Sequence, residues 1–204
     1  MCADGQALPP ALIFQGISSL QSSWLEDIEA GKHEAFFSNT PSGWSNNDLG
    51  LAWLEQVFER ATSTKARRRW RLLILDGHAS HLTMDFIRFC DAHKILLAVF
   101  PPHATHTLQP LDVVLFAPLA ASYTLQLIQY LHDSQGLTAM RKGDSFPLFW
   151  EAWMSSFKKE TVRKSFEATG IIPMNAEIIL KRFNNQPSGQ ENNPRMTPEG
   201  NQSS

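Results

Sequence analysis

Two short, wholly apolar runs, Leu72–Leu75 and Ile95–Phe100, do most to restrict the folds open to this chain. Apolar runs of this length without alternation are the pattern of strands covered on both faces, as in a parallel sheet. Between them Thr83 can cap a helix over Met84–His93, with Phe86, Ile87 and Cys90 facing inward. Strand, helix and strand in that order predict a right-handed parallel crossover, and so an α/β sheet.

The flanking segments extend this plan. Asp4-Gly5 is a hairpin-turn signal, and Leu8–Phe14 reads as a strand whose Pro9-Pro10 places it at an edge or bulge. The partner strand of that hairpin would precede Asp4, so the chain is expected to lack its beginning. Ser18–Asn47 reads as loop-rich, anchored by Trp24 and Trp44. Asn46, Asn47 or Asp48 can cap a helix over Leu49–Ala61, whose Leu51, Leu54, Val57 and Phe58 share one face. A further helix follows Asp112, or begins at Pro118, since proline suits a first turn. The last third reads as helical. One helix runs from Ser145 or Phe146 to Phe157, and a second ends at Thr169 before Gly170 and Pro173. Asn175 can cap a third over Ala176–Phe183. Residues 184–204 turn to Asn, Gln, Pro, Ser and Gly, a composition expected to be disordered. The division is therefore a core over 1–135, a helical extension of the same domain over 136–183, and a tail. There is no internal repeat.

Composition narrows the function classes. The net charge of -2 gives no global field toward nucleic acid, although a local basic patch is enough for binding. Cys2 and Cys90 form neither a disulfide framework nor a CxxC metal site, which fits a reducing, intracellular setting. The first residues lack the plan of a signal peptide. Val113–Leu131 is apolar enough to raise a membrane question. Pro118, Ser122, Thr124, Gln126 and Gln129 interrupt it, so a buried globular helix and no membrane are expected.

Asp76 ends the first apolar run and opens Asp76-Gly77-His78-Ala79-Ser80-His81. Side chains at the C-terminal edge of parallel strands face the crevice where ligands bind, although an aspartate there can equally make a turn or cap the next helix. Asp112 closes Pro101-Pro102-His103-Ala104-Thr105-His106-Thr107-Leu108-Gln109-Pro110-Leu111-Asp112, and alone could be an N-cap. Two convergent carboxylates are what a divalent-metal phosphoryl-transfer site needs. His78 and His81, like His103 and His106, are three apart. That spacing reads as a four-histidine zinc site, or as imidazoles lining the carboxylate site. Lys65, Arg67, Arg68, Arg69 and Arg71 surround Trp70 and are candidate phosphate-backbone contacts, a nuclear-import signal, or a solvated loop. No P-loop, GxSxG elbow or GxGxxG fingerprint is present.

"LLILDGHASHLTMDFIRFC" followed by "PPHATHTLQPLDVVLFAPL" closely resembles the DDE superfamily endonuclease domain of pogo/Tigger-like transposons, especially the fungal branch. The resemblance extends to "ADGQALPPALIFQG", "GWSNNDLGLAWLEQVF" and "SFEATGIIPMNAEIIL". It implies a ribonuclease H-like mixed sheet flanked by helices. It also implies DNA as partner, a nuclear location, and Mg²⁺ or Mn²⁺ held by three acids that cleave phosphodiesters. By motif, Asp76 is similar to the second acid and Asp112 to the third. The first acid, on the first and central strand, falls upstream of Asp4-Gly5. The expected consequences are weakened metal binding, negligible cleavage and an unpaired apolar edge at Leu72–Leu75. Such an edge favours pairing with another chain or a homo-oligomer. Ala120-Ala121 stands where relatives often carry a basic pair, and Val114 where a glycine is common. A non-catalytic nucleic-acid- or protein-binding module of transposase origin is the alternative.

Overall fold

A parallel βαβ unit forms where the two apolar runs predict it. The computed structural model describes residues 1–29, 31–76, 82–102, 104–135 and 139–184. Strand β1 (Ala11–Gln15) pairs in parallel with β2 (Phe36–Thr40), Ile13 opposite Ser38. The next helical stretch is α1 (Asn47–Trp53), a π-helical segment (Leu54–Glu59) and α2 (Arg60–Ala66). Asn46 caps it, its side chain accepting from the Leu49 amide at 2.9 Å. Strand β3 (Arg71–Leu75), helix α3 (Met84–Ala92) and strand β4 (Ile95–Val99) form the crossover, with Leu72 opposite Leu96. Thr83 caps α3 through the Phe86 amide at 3.2 Å.

A short α4 (Thr105–Leu108) leads into a second π-helical segment (Leu111–Leu115) that continues as α5 (Phe116–Asp133). Proline inside a helix removes one donor and crowds the carbonyl four residues back. For Pro118 that carbonyl belongs to Val114, inside the widened π segment, so the wide turn absorbs the proline and the helix starts well before it. Helices α6 (Ser145–Ser156), α7 (Lys159–Ala168) and α8 (Ala176–Asn184) follow. Asn175 caps α8 through the Glu177 amide at 3.1 Å.

Two cores result. Leu54, Val57, Phe58, Leu73, Phe86, Cys90 and Ile95 bury α1–α3 against one face of β3–β4. Leu115, Phe157 and Val162 bury the second π segment against α6 and α7.

Four findings add to or differ from the expectations. First, the strands among the described residues pair as two two-stranded parallel sheets. The segment expected to be loop-rich supplies β2, because Phe36-Phe37-Ser38-Asn39-Thr40 has no clean alternation to announce it. Beside β1–β2 lies a cavity of about 420 Å³ with an almost wholly apolar lining that includes Leu12, Phe37, Trp53, Val57, Leu75 and Phe86. Second, β3 and β4 are covered on one face only, since Leu72 and Leu96 are 55% and 58% exposed on the face away from α3. Third, Ile87 lies outside the core and is exposed, being the edge of the apolar face of α3 rather than its centre. Fourth, no residue of α5 is buried. Leu111–Asp133 is long and apolar enough to cross a membrane by length and composition, and Leu125, Ile128 and Leu131 are exposed along it. The tail expected to be disordered lies, beyond Asn184, outside the described residues.

Candidate functional site

The two motif segments leave the C-terminal edge of β3–β4. Pairing continues to that edge, where the Phe100 amide donates to the Leu75 carbonyl at 3.0 Å. Asp76 is the next residue after β3 and is half-buried. The chain leaving β4 at the same edge passes through α4 and brings Asp112 into the first turn of the second π segment, also half-buried. Proline at Pro110 needs no amide partner at a helix start, which fixes where this turn begins.

The turn bearing Asp112 is held from the C-terminal helices. Arg182 of α8 donates from Nη1 to the Thr107 carbonyl at 3.1 Å and from Nη2 to the Ala168 carbonyl at 2.8 Å. One guanidinium thus ties the motif segment to the end of α7. Sequence reasoning missed this residue. A lone arginine on an amphipathic helix gives no signal of a partner 75 positions away.

Neither the Asp76 nor the Asp112 side chain has a hydrogen bond or ion pair to another described residue. Both are hard oxygen donors of the kind Mg²⁺ and Mn²⁺ take, and one or two carboxylates with phosphate and water are a usual Mg²⁺ set. By donor chemistry they fit such an ion. Among the described residues, however, no group of three or more His, Cys, Asp or Glu side chains gathers to hold one. His106 lies on α4 with its side chain exposed. His78, His81 and His103 lie outside the described residues, so the zinc reading and the site-lining role of these three are not placed. Gln109, beside the motif turn, has its side-chain oxygen buried without a partner among the described residues.

The five candidate DNA-contact cations divide. Lys65 pairs with Asp4 at 2.6 Å. Arg71 is a packing residue. Its Nη1 lies 2.6 Å from Glu59 and donates to Thr62 Oγ1 at 3.0 Å, and its Nη2 donates to the His93 carbonyl at 2.5 Å. Arg67, Arg68 and Arg69 are exposed. Neither cysteine is an activated nucleophile. Burial raises the Cys2 thiol, and burial pushes the Cys90 thiol up to about 11.

The profile of the DDE superfamily endonuclease family matches residues 1–166, which include β1–β4 and both aspartates. The chain belongs to that family. It is 31% identical over 172 residues to the human "Pogo transposable element with KRAB domain", covering 81% of this chain and 27% of that protein. It is 33% identical over 182 residues to the "MFS-type transporter clz9" of Cochliobolus lunatus, covering 89% of this chain and 19% of that protein. The mouse "Pogo transposable element with KRAB domain" is 32% identical over 129 residues. The chain thus spans between a fifth and about a quarter of the length of these curated relatives. No solved structure matches it.

Proposed function

We propose that this stretch is a DDE endonuclease domain of pogo transposase origin whose Asp76 and Asp112 are its second and third metal-binding acids, and that these 204 residues alone do not cleave DNA. The single observation that carries the reading is that Asp76 follows β3 at the C-terminal edge of one parallel βαβ unit and Asp112 opens the helical segment that comes after β4 and α4, both inside the family match and with no side-chain partner among the described residues. A bound Mg²⁺ or Mn²⁺ would supply charge neutralisation for a phosphodiester. The chain's own contribution is two oxygen donors on fixed elements: β3 sets Asp76, while Arg182 and the core around Leu115 set Asp112. Two acids without a third bind such an ion weakly.

The two sheets are read as parts of one ribonuclease H-like sheet whose central strand comes from outside the described residues. The apolar cavity beside β1–β2, which reaches Leu75 at the end of β3, supports this reading. The same reading covers the exposed face of α5 with protein rather than lipid, because Pro118, Ser122, Thr124, Gln126 and Gln129 punctuate it. A nuclear location and DNA as partner follow from transposase origin.

Titration with Mn²⁺, followed by the metal's paramagnetic resonance signal, tests the site. Weak binding that disappears in both Asp76→Asn and Asp112→Asn is expected, with no nicking of supercoiled plasmid. Binding that survives the double substitution refutes the site. Metal-dependent nicking by the wild-type chain refutes the inactivity.

A further inference from the structure

Arg67, Arg68 and Arg69 form the turn between α2 and β3, and Lys94 stands in the facing turn before β4. Lys94 Nζ donates to the Arg68 carbonyl at 3.3 Å, so the two turns are joined at one rim of the sheet. The side chains of Arg67, Arg68 and Arg69 have no ion pair or hydrogen bond among the described residues. Asp4 is paired with Lys65 and Glu59 with Arg71. Arg67, Arg68 and Lys94 have φ of 46°, 66° and 56°, in the left-handed region where glycine is the easy residue. The chain holds long cationic side chains at three such positions in two adjoining turns. Lys94 serves in joining the turns, whereas no contact of the Arg67 or Arg68 side chain among the described residues calls for either one there.

Trp70 follows directly and is 60% exposed, with no ring or cation contact among the described residues. Alternation along β3 puts it on the same face as Leu72, and the register puts Leu96 beside Leu72. These three make an exposed apolar strip with an aromatic end, bordered by four cations. The strip offers a flat π surface and the rim offers charge for phosphates. A duplex presents phosphates but keeps its base faces stacked inside, whereas a single strand presents both.

We propose that this rim binds single-stranded nucleic acid, with phosphates on Arg67, Arg68, Arg69 and Lys94 and an unpaired base on Trp70. The site is separate from the acids. It lies at the opposite end of β3 from Asp76, five strand residues away, or about 17 Å at the usual rise. It shares the nucleic-acid setting of the proposed function but requires no metal, so it is tested in the presence of EDTA and its failure is distinct from that of the acid site.

Fluorescence anisotropy with a labelled oligonucleotide, single-stranded or annealed, over a salt series is the assay. The single strand is expected to bind more tightly than the duplex. Arg67→Gly/Arg68→Gly removes two charges where glycine suits the backbone. It should unfold no earlier than the wild type, and its slope of log affinity against log salt should fall by about 1.4. Trp70→Ala should weaken binding by roughly 5- to 150-fold, while Trp70→Phe retains most of it. The proposal is overturned by no binding at low salt, by equal affinity for strand and duplex, or by unchanged binding in either the Arg67→Gly/Arg68→Gly or the Trp70→Ala variant.

Discussion

Replacing Arg71 with alanine is expected to remove a large share of the stability of the βαβ unit without touching the acids. Its guanidinium is 11% exposed and Glu59 is 21% exposed, so water screens the pair little. At an effective dielectric near 20, such a pair with charge centres near 4 Å is worth about 4 kcal/mol gross. The bonds to Thr62 and the His93 carbonyl add to this, and the guanidinium lies 5.7 Å above the Phe58 ring. Two features oppose it: Arg71 Nε is buried without a partner, and Glu59 Oε2 meets the guanidinium outside hydrogen-bond geometry. Truncating one member of a buried pair leaves the other uncompensated, so the expected loss is about 3 kcal/mol, the lower end of the usual range. For a chain of this size that lowers the melting temperature by roughly 6–12 °C. Urea denaturation of wild type, Arg71→Ala, Glu59→Gln and Arg71→Met/Glu59→Leu measures it. The apolar pair should be more stable than Arg71→Ala alone, because it leaves no orphaned charge. A loss below about 1 kcal/mol for Arg71→Ala would place the pair among exposed ion pairs and refute the reasoning.

Gly170 has φ of 65°, and a Cβ there would stand 2.2 Å from the Asn175 carbonyl oxygen. Gly170→Ala should therefore cost about 2 kcal/mol or more in urea denaturation, through left-handed strain and a displaced α7–α8 turn. Phe86 is 1% exposed and borders the cavity beside β1–β2, so Phe86→Ala should cost about 3 kcal/mol, read by the same method. The Cys90 thiol is held up to about 11 by burial, so the folded state binds its proton more tightly than the unfolded state does. That contribution is complete below the unfolded thiol value and is lost as pH rises toward 11. Stability should fall across that window in the wild type and less in Cys90→Ala. Asn46→Ala should cost about 1 kcal/mol through the lost cap on α1, measured by thermal melting.

What could be read from the sequence was local. The caps Asn46, Thr83 and Asn175, the stop at Gly170 and the two apolar strands each depend on neighbours within a few residues. The misses depend on distant partners. Strand β2 is defined by its pairing with β1, not by its own pattern. The exposure of Leu72 and Leu96 is set by which elements cover the sheet, and an apolar run cannot say whether one face or both will be packed. The π segments are a further case: Pro118 was legible as a helix start because its lost donor suits one. Widening the preceding turn accommodates it equally well.

The same division explains why the site was half legible. Asp76 and Asp112 stand out because each occurs in a motif with a physical role for its neighbours, a sharp turn after a strand and a proline-bounded lead into a helix. Part of what holds the Asp112 segment lies outside its motif. Arg182 reaches the Thr107 carbonyl from α8, and Val162 and Phe157 pack on Leu115 from the other side. The C-terminal helices thus contact the motif segment from far along the chain. Arg182→Ala should accordingly loosen the motif turn and weaken Mn²⁺ binding while leaving the α1–α3 core intact. Hydrogen exchange at residues 105–115 would report the first effect, and paramagnetic resonance titration the second. Unchanged exchange there, with Mn²⁺ binding as in the wild type, would show that Asp112 is placed by its own local sequence after all.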